Sequence, residues 1–326
     1  MLSCRLAVLS AMVVSTSLAA SEPLPKLNLT ANITVSGLSS GGYMAGQFHQ
    51  AYAEEVTGVA ILAAGPVNCA QGDLRIAMGH CMANPNSEPD LASIETKLNQ
   101  LREAGELAPL SAVQGAKVWL FNGSADQTVS AKVGAALARQ YTHWLPAAQL
   151  AVVADQPFAH HFPTAKAGLT ECDKSESPFI ASCQYDAAAK LLGHILAKPL
   201  KAATDPIGQL LKLDQHQLAP ASQGQLAQYG YVYIPQSCAA GQRCDLHISF
   251  HGCRQDASQI GEAYLRQTGL NDYAEANQLV VLYPQVEKST LNPFGCWDWW
   301  GYSASNYLTK KGPQNLAVKH LAAALR

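Results

Sequence analysis

The sequence predicts an α/β domain built on a mainly parallel sheet with helices on both faces. Three observations carry that prediction. Short apolar runs of strand length recur along the chain, and stretches of helical length fall between them. A glycine-bounded turn then joins the first strand directly to a helix. The chain has 326 residues, enough to bury a large core in one domain.

The elements follow in order. Residues 33–36, 59–62, 117–121 and 150–153 read as buried strands, and so do 231–234, 246–250 and 279–283. Residues 42–54, 131–141, 186–196 and 314–325 read as helices. Residues 198–226 are the least patterned part and read as a surface excursion rather than a domain boundary. At the N-terminus, Arg5 is followed by a mostly apolar run and then by small residues at 17–20, the layout of a secretory signal peptide over residues 1–20. A membrane anchor is the alternative, but the run is shorter than the ~20 residues a bilayer requires. Residues 21–326 are expected to form a single catalytic domain.

Composition narrows the class. Hydrophobic residues make up 48% and charged residues 14%, with a net charge of −2. A nucleic-acid partner therefore has no electrostatic support. No later stretch is suited to span a membrane, and no obligate protein partner is evident. Removing the signal peptide takes Cys4 from the nine cysteines and leaves an even set, as expected in an oxidising compartment. Proximity along the chain suggests Cys69–Cys81, Cys172–Cys183, Cys238–Cys244 and Cys253–Cys296. A metal site is the alternative, but the sequence has no C-x-x-C pair and no His-Cys cluster at ligand spacing.

The chemistry sits at the strand ends. Gly37-Leu38-Ser39-Ser40-Gly41 lies between the first strand and its helix. A nucleophile elbow needs small residues two before and two after the serine, and only Ser39 has glycine at both offsets. The Ser40 amide would then face a developing oxyanion. Beyond the strand at 117–121, Asp126 is placed to act as a triad acid; an N-cap or Asx-turn role is the plainer reading. Asp155 is the rival acid. After the strand at 150–153 come His160 and His161. The order Ser, Asp, His matches α/β-hydrolases, with one of these two histidines as the base and the other as a neighbour filling the site wall. His251-Gly252-Cys253 follows the strand at 246–250, where such folds place a second oxyanion donor. In an ordinary α/β-hydrolase that loop precedes the nucleophile. Here it follows, which a circular permutation of the α/β-hydrolase fold would explain, with the chain ends close together.

Taken together, GLSSGGYMA, NGSADQTV, HHFPT, HGCRQ and FGCWDWWGY resemble secreted, single-domain poly(3-hydroxybutyrate) depolymerases with a circularly permuted α/β-hydrolase fold. That resemblance implies a triad of Ser39, Asp126 and His160 and oxyanion amides from Ser40 and Cys253. It also implies a Cys253–Cys296 disulfide and a tryptophan-bearing cleft, with neither metal nor organic cofactor. Ala159 stands where the family often has glycine, and no appended substrate-binding domain follows residue 326 in this sequence, so weaker attack on crystalline polymer is expected. The segment at 296–302 reads either as a buried strand or as an apolar binding surface. Its tether to Cys253 favours the surface for at least one tryptophan, with Trp299, Trp300 and Trp297 as substrate-binding candidates and Trp297, next to Cys296, the better candidate for the core.

The expected activity is hydrolysis of poly(3-hydroxybutyrate) or its oligomers by a secreted or periplasmic serine esterase. A feruloyl or acetyl esterase acting on plant polysaccharide is the second reading, and a catalytically silent secreted binding protein the third. Glycosylation sequons occur at Asn28, Asn32 and Asn122.

Overall fold

In a computed structural model, the structure describes residues 24–83, 88–202, 205–220 and 225–326. The signal-peptide assignment to residues 1–20 lies outside them. Eight strands form one sheet: β1 (Leu29–Leu38), β2 (Val56–Leu62), β3 (Lys117–Phe121), β4 (Leu150–Val153), β7 (Gln209–Asp214), β8 (Tyr229–Ile234), β9 (Cys244–Phe250) and β10 (Leu279–Tyr283). A separate parallel pair consists of β5 (Phe162–Thr164) and β6 (Ile180–Ser182). The order across the main sheet is β4-β3-β2-β1-β9-β10-β8-β7. All neighbours from β4 to β10 run parallel, and β8 and β7 close that edge with antiparallel pairings.

This is the expected α/β-hydrolase type of fold, and its strand order carries the permutation. β1, first in sequence, pairs with β9 from the C-terminal part, so the two strands that carry the elbow and the His-Gly loop lie side by side. The first and last described segments meet as well. The Leu27 amide donates to the Leu325 carbonyl at 2.9 Å, where helix Pro313–Ala324 has just ended. Among the described residues, no helix is long and apolar enough to cross a membrane.

Alternation along the central strands sorts their side chains between two layers. Ile33 and Val35 of β1 and Leu246, Ile248 and Phe250 of β9 join one core with helices Ser40–Tyr52, Leu91–Glu103, Ala131–Trp144 and Pro313–Ala324. On the opposite face, helix Ala187–Ile195 packs with Leu38, Leu62, Phe121 and Val281. There the intervening residues of β1 and β9 are polar and fully enclosed. His247 bridges Thr34 Oγ1 at 2.9 Å and Ser36 Oγ at 2.8 Å, and Ser249 meets the Tyr264 hydroxyl at 3.1 Å. Tyr264 in turn donates to the Phe250 carbonyl. A hydrogen-bonded chain thus links β1 to β9 beneath the loops at their ends.

Several elements depart from the sequence reading. β4 is an edge strand with Val152 exposed, not a buried one. The poorly patterned stretch contains the opposite edge strand, β7. Helices Leu74–His80 and Leu91–Glu103 and the β5–β6 pair were not anticipated. Residues 296–302 form no strand and follow an irregular path. The four disulfides are Cys69–Cys81, Cys172–Cys183, Cys238–Cys244 and Cys253–Cys296.

Burial holds two core histidines neutral, pushing His247 and His49 down to about 3; the Arg102 cation adds to the effect at His49. Both bind a proton more readily in the unfolded chain, whose imidazoles titrate near the ordinary value of about 6.5. Their contribution to stability is therefore complete above that value and is lost as the pH falls toward about 3. Urea unfolding between neutral pH and pH ~4 should show this loss, with a slope of up to about 1.4 kcal/mol per pH unit for each histidine. His247→Gln and His49→Gln should each lower stability at neutral pH and flatten that slope. Variants that keep the wild-type slope would contradict the assignment.

Candidate active site

The elbow forms because three chain segments approach too closely for side chains. A Cβ at Gly37 would lie 2.0 Å from the Gly41 carbonyl oxygen. One at Gly41 would lie 2.2 Å from the Phe250 oxygen and 2.4 Å from that of His251. Between the two glycines Ser39 adopts φ 57°, ψ −121°, a strained conformation for a residue with a side chain. Helix Ser40–Tyr52 begins at the next residue, and Ser39 stands partly exposed at the end of β1.

Asp126 lies in the loop after β3 with its carboxylate fully enclosed. Its Oδ1 accepts from the amides of Thr128 and Val129, both at 2.8 Å, and its Oδ2 meets His160 Nδ1 at 2.7 Å. The turn-forming role and the histidine-orienting geometry thus coexist in one side chain. Asp155, the rival, points to Gln156 instead. The loop bearing His160 rests on the aspartate loop: the Ser124 amide donates to Gln156 O, and a Cβ at Gly123 would strike Phe158 O at 2.1 Å. The Ser175 hydroxyl holds the His160 carbonyl. His161 departs from its expected place in the site wall. It is buried, bonds the Cys172 carbonyl at 2.8 Å, and is pushed down from the ordinary histidine value by burial.

His251 fixes the loop after β9. Its Nε2 accepts from the Val286 amide, so Nδ1 carries the proton and donates to Gly252 O at 2.7 Å. Burial favours this neutral form by lowering its pKa. Gln255, to which sequence reasoning assigned no role, braces the same loop. Its Oε1 accepts from Gly252 N at 2.7 Å, while its Nε2 donates to the carbonyls of Pro178 and Phe179. The only hint in the sequence was its place in HGCRQ.

Ser39, His160, Ser40 and Cys253 all line one cleft of about 560 Å³. Four of the exposed large apolar side chains, Leu74, Met78, Leu291 and Phe294, also line it, so its mouth is built for an apolar ligand. His161 lies within 4.8 Å of both sulfurs of Cys172 and Cys183, but those sulfurs are bonded to each other and leave no thiolate for a metal.

The chain has relatives among known proteins. It is 37% identical to a poly(3-hydroxybutyrate) depolymerase of Delftia acidovorans over 93% of its own length, and spans 61% of that enzyme. It is 34% identical to a polyhydroxybutyrate depolymerase of Talaromyces funiculosus, covering 92% of this chain and 91% of that one. The chain belongs to the PHB depolymerase family. The family pattern described as Esterase PHB depolymerase matches residues 228–322, a stretch that includes the His-Gly loop. A solved PHB depolymerase from Penicillium funiculosum superimposes with a TM-score of 0.85 at 31% identity, covering 93% of this chain and 99% of that one. Another solved structure, with the same TM-score, identity and coverage, is a serine-to-alanine PHB depolymerase complexed with an R3HB trimer. These relatives are carboxylic ester hydrolases.

Within this depolymerase fold the three tryptophans differ. Trp299 and Trp300 line the cleft, and Trp299 stacks on Tyr43 at 4.3 Å with an interplanar angle of 9°. Trp297, a binding candidate whose place beside Cys296 also makes it the better candidate for the core, is a core residue: it is fully buried against Phe250 and His251. Its amide donates to the Ser40 hydroxyl, so Ser40 braces this segment through its side chain. Tyr43, unassigned within GLSSGGYMA, is both a wall of the cleft and a link to the Cys81 carbonyl. Asn122 is buried and bonds Gly123 O and Val129 O, which removes it as a glycosylation candidate in the folded protein.

Asp298 shapes the aromatic wall. Its carboxylate accepts from the amides of Trp300, Gly301, Tyr302 and Ser303 and from the Ser303 hydroxyl. Replacing it by alanine strands buried donors. Asp298→Ala should therefore cost about 3–5 kcal/mol, the usual range for breaking a buried charged network. Asp298→Asn, which keeps an acceptor, should cost less. Urea denaturation of both variants measures the difference, and wild-type stability in Asp298→Ala would refute this role.

Proposed function

We propose that this chain is a secreted serine esterase that hydrolyses poly(3-hydroxybutyrate) or its oligomers. The observation that carries the proposal is the 2.7 Å contact between His160 Nδ1 and buried Asp126, in a cleft that His160 shares with Ser39. With Nδ1 donating to Asp126, Nε2 is the free acceptor for the Ser39 proton.

Ser39 Oγ attacks the ester carbonyl as His160 Nε2 takes its proton. The amides of Ser40 and Cys253 receive the negative charge that develops on the carbonyl oxygen. Collapse of the tetrahedral species breaks the ester C–O bond. The proton on His160 passes to the departing alcohol and leaves an acyl group on Ser39. Water, deprotonated by His160, then releases a carboxylic acid and restores the serine. Neither a metal nor an organic cofactor enters these steps.

The apolar mouth supports the polymer reading, because a polyester offers methyl and methylene groups but no strong donors. The disulfides fit an oxidising compartment, extracellular or periplasmic, and residues 21–326 fit one catalytic domain. No nucleic acid, membrane or protein partner enters this reading.

A substrate panel tests it: polymer suspension, 3-hydroxybutyrate trimer, a p-nitrophenyl ester and methyl ferulate. Cleavage of polymer and trimer is expected, with Ser39→Ala lowering every activity by at least about 10⁴-fold. Trp300→Ala should reduce polymer hydrolysis more than p-nitrophenyl ester hydrolysis, since only the longer substrate reaches the aromatic wall. Ferulate release without polymer clearing would move the chain to the feruloyl esterase reading. A folded chain inert on the whole panel would point to a binding protein.

A further inference from the structure

Among the described residues that line the cleft, Arg254 is the one Asp, Glu, Lys or Arg side chain. It directly follows Cys253, and its φ of 62° lies in the left-handed region that a side chain disfavours. Both its backbone and its side chain are anchored to Phe294. The Arg254 amide donates to Phe294 O at 2.7 Å, and the guanidinium carbon lies 4.3 Å from the centre of the Phe294 ring. Stacking of this kind occupies one face of the guanidinium and leaves its N–H edges available for a planar anion. Among the described residues Arg254 takes part in no ion pair. Glu176 borders a shallow depression that Arg254 also lines, without pairing to it. Among the described residues, a cation with no ion-pair partner is thus held against Phe294 at a largely apolar cleft.

The polyester backbone itself carries no charge for this cation to meet. The free carboxylate at a chain end does. When an ester is cleaved, the acyl fragment stays on Ser39 and the alcohol-side fragment keeps that carboxylate. For the last ester of an oligomer, the carboxylate lies one repeat unit from the bond that breaks. On the substrate reading given above, we propose that Arg254 is a specificity residue that binds the terminal carboxylate of the alcohol-side fragment. It directs the enzyme to ester bonds near the carboxyl end of soluble oligomers. Long polymer chains, with few such ends, gain little from it.

The test compares the 3-hydroxybutyrate trimer as free acid with its methyl ester. For the wild type, kcat/KM should favour the acid by about tenfold at low ionic strength, mainly through KM. The preference should shrink in high salt, because the guanidinium is exposed. Arg254→Gln should bring the acid-to-ester ratio to about one, whatever loss the two substrates share. Arg254→Lys, which keeps the charge, should restore part of the ratio. Equal wild-type kinetics on acid and ester would overturn the proposal alone. So would an Arg254→Gln variant that loses activity with the ratio unchanged, since that describes a brace for Phe294. A folded wild type that cleaves neither trimer would overturn the substrate reading and this proposal together.

Discussion

The backbone contact at Gly41 is the constraint on which the site depends. Hydrogen in place of a methyl group lets the first turn of helix Ser40–Tyr52 press against the carbonyls of Phe250 and His251. That approach brings the end of β1 to the end of β9, and with it the proposed nucleophile to the His-Gly loop. A side chain at Gly41 would push the two strand ends apart. It would separate the Ser40 and Cys253 amides, which must converge on one oxygen to stabilise an oxyanion. Gly37 makes the turn sharp, and Gly41 makes it close to its neighbour.

Around this contact the protein has built a stiff polar frame and a softer apolar mouth. The frame is interlocked. Asp126 accepts from two backbone amides as well as from His160, His251 and Gln255 hold Gly252 from two sides, and the buried chain through His247 and Tyr264 reaches the Phe250 carbonyl. Each group is enclosed and hydrogen-bonded, so displacing any one of them would leave another unpaired. The mouth has no such network. Leu74, Met78, Leu291 and Phe294 stand exposed around it, and contacts of that kind adapt to a chain without fixing its register. Polar precision around the proposed nucleophile and apolar tolerance farther out would suit the proposed polyester substrate.

The central strands and the strand-end motifs were legible in the sequence because each rests on a local pattern. β1, β2, β9 and β10 are apolar runs, the elbow is a glycine spacing, and Asp126 and His160 each follow a strand. The permutation was legible too, since the His-Gly loop stands on the wrong side of Ser39 for an ordinary α/β-hydrolase. What could not be read depends on long-range contact. β4 and β10 look alike as apolar runs, yet one is an edge and the other lies inside the sheet, because neighbours decide burial. The roles of Gln255, Tyr43 and Asp298 arise from partners far away or from the path of an irregular loop, which no periodicity encodes. Trp297 and Trp299 sit two residues apart in the same motif and both belong to the core, but past the turn around Asp298 only Trp299 also lines the cleft.

The central claim is that Ser39, activated by His160 and Asp126, is the nucleophile. Stoichiometric labelling with diethyl p-nitrophenyl phosphate, followed by peptide mass mapping, tests it most directly. The account predicts release of about one equivalent of p-nitrophenolate per chain and a phosphoryl adduct on Ser39, with Ser40 unmodified. A folded chain that releases no p-nitrophenolate, or that carries its adduct on Ser40 or on another residue, would contradict it.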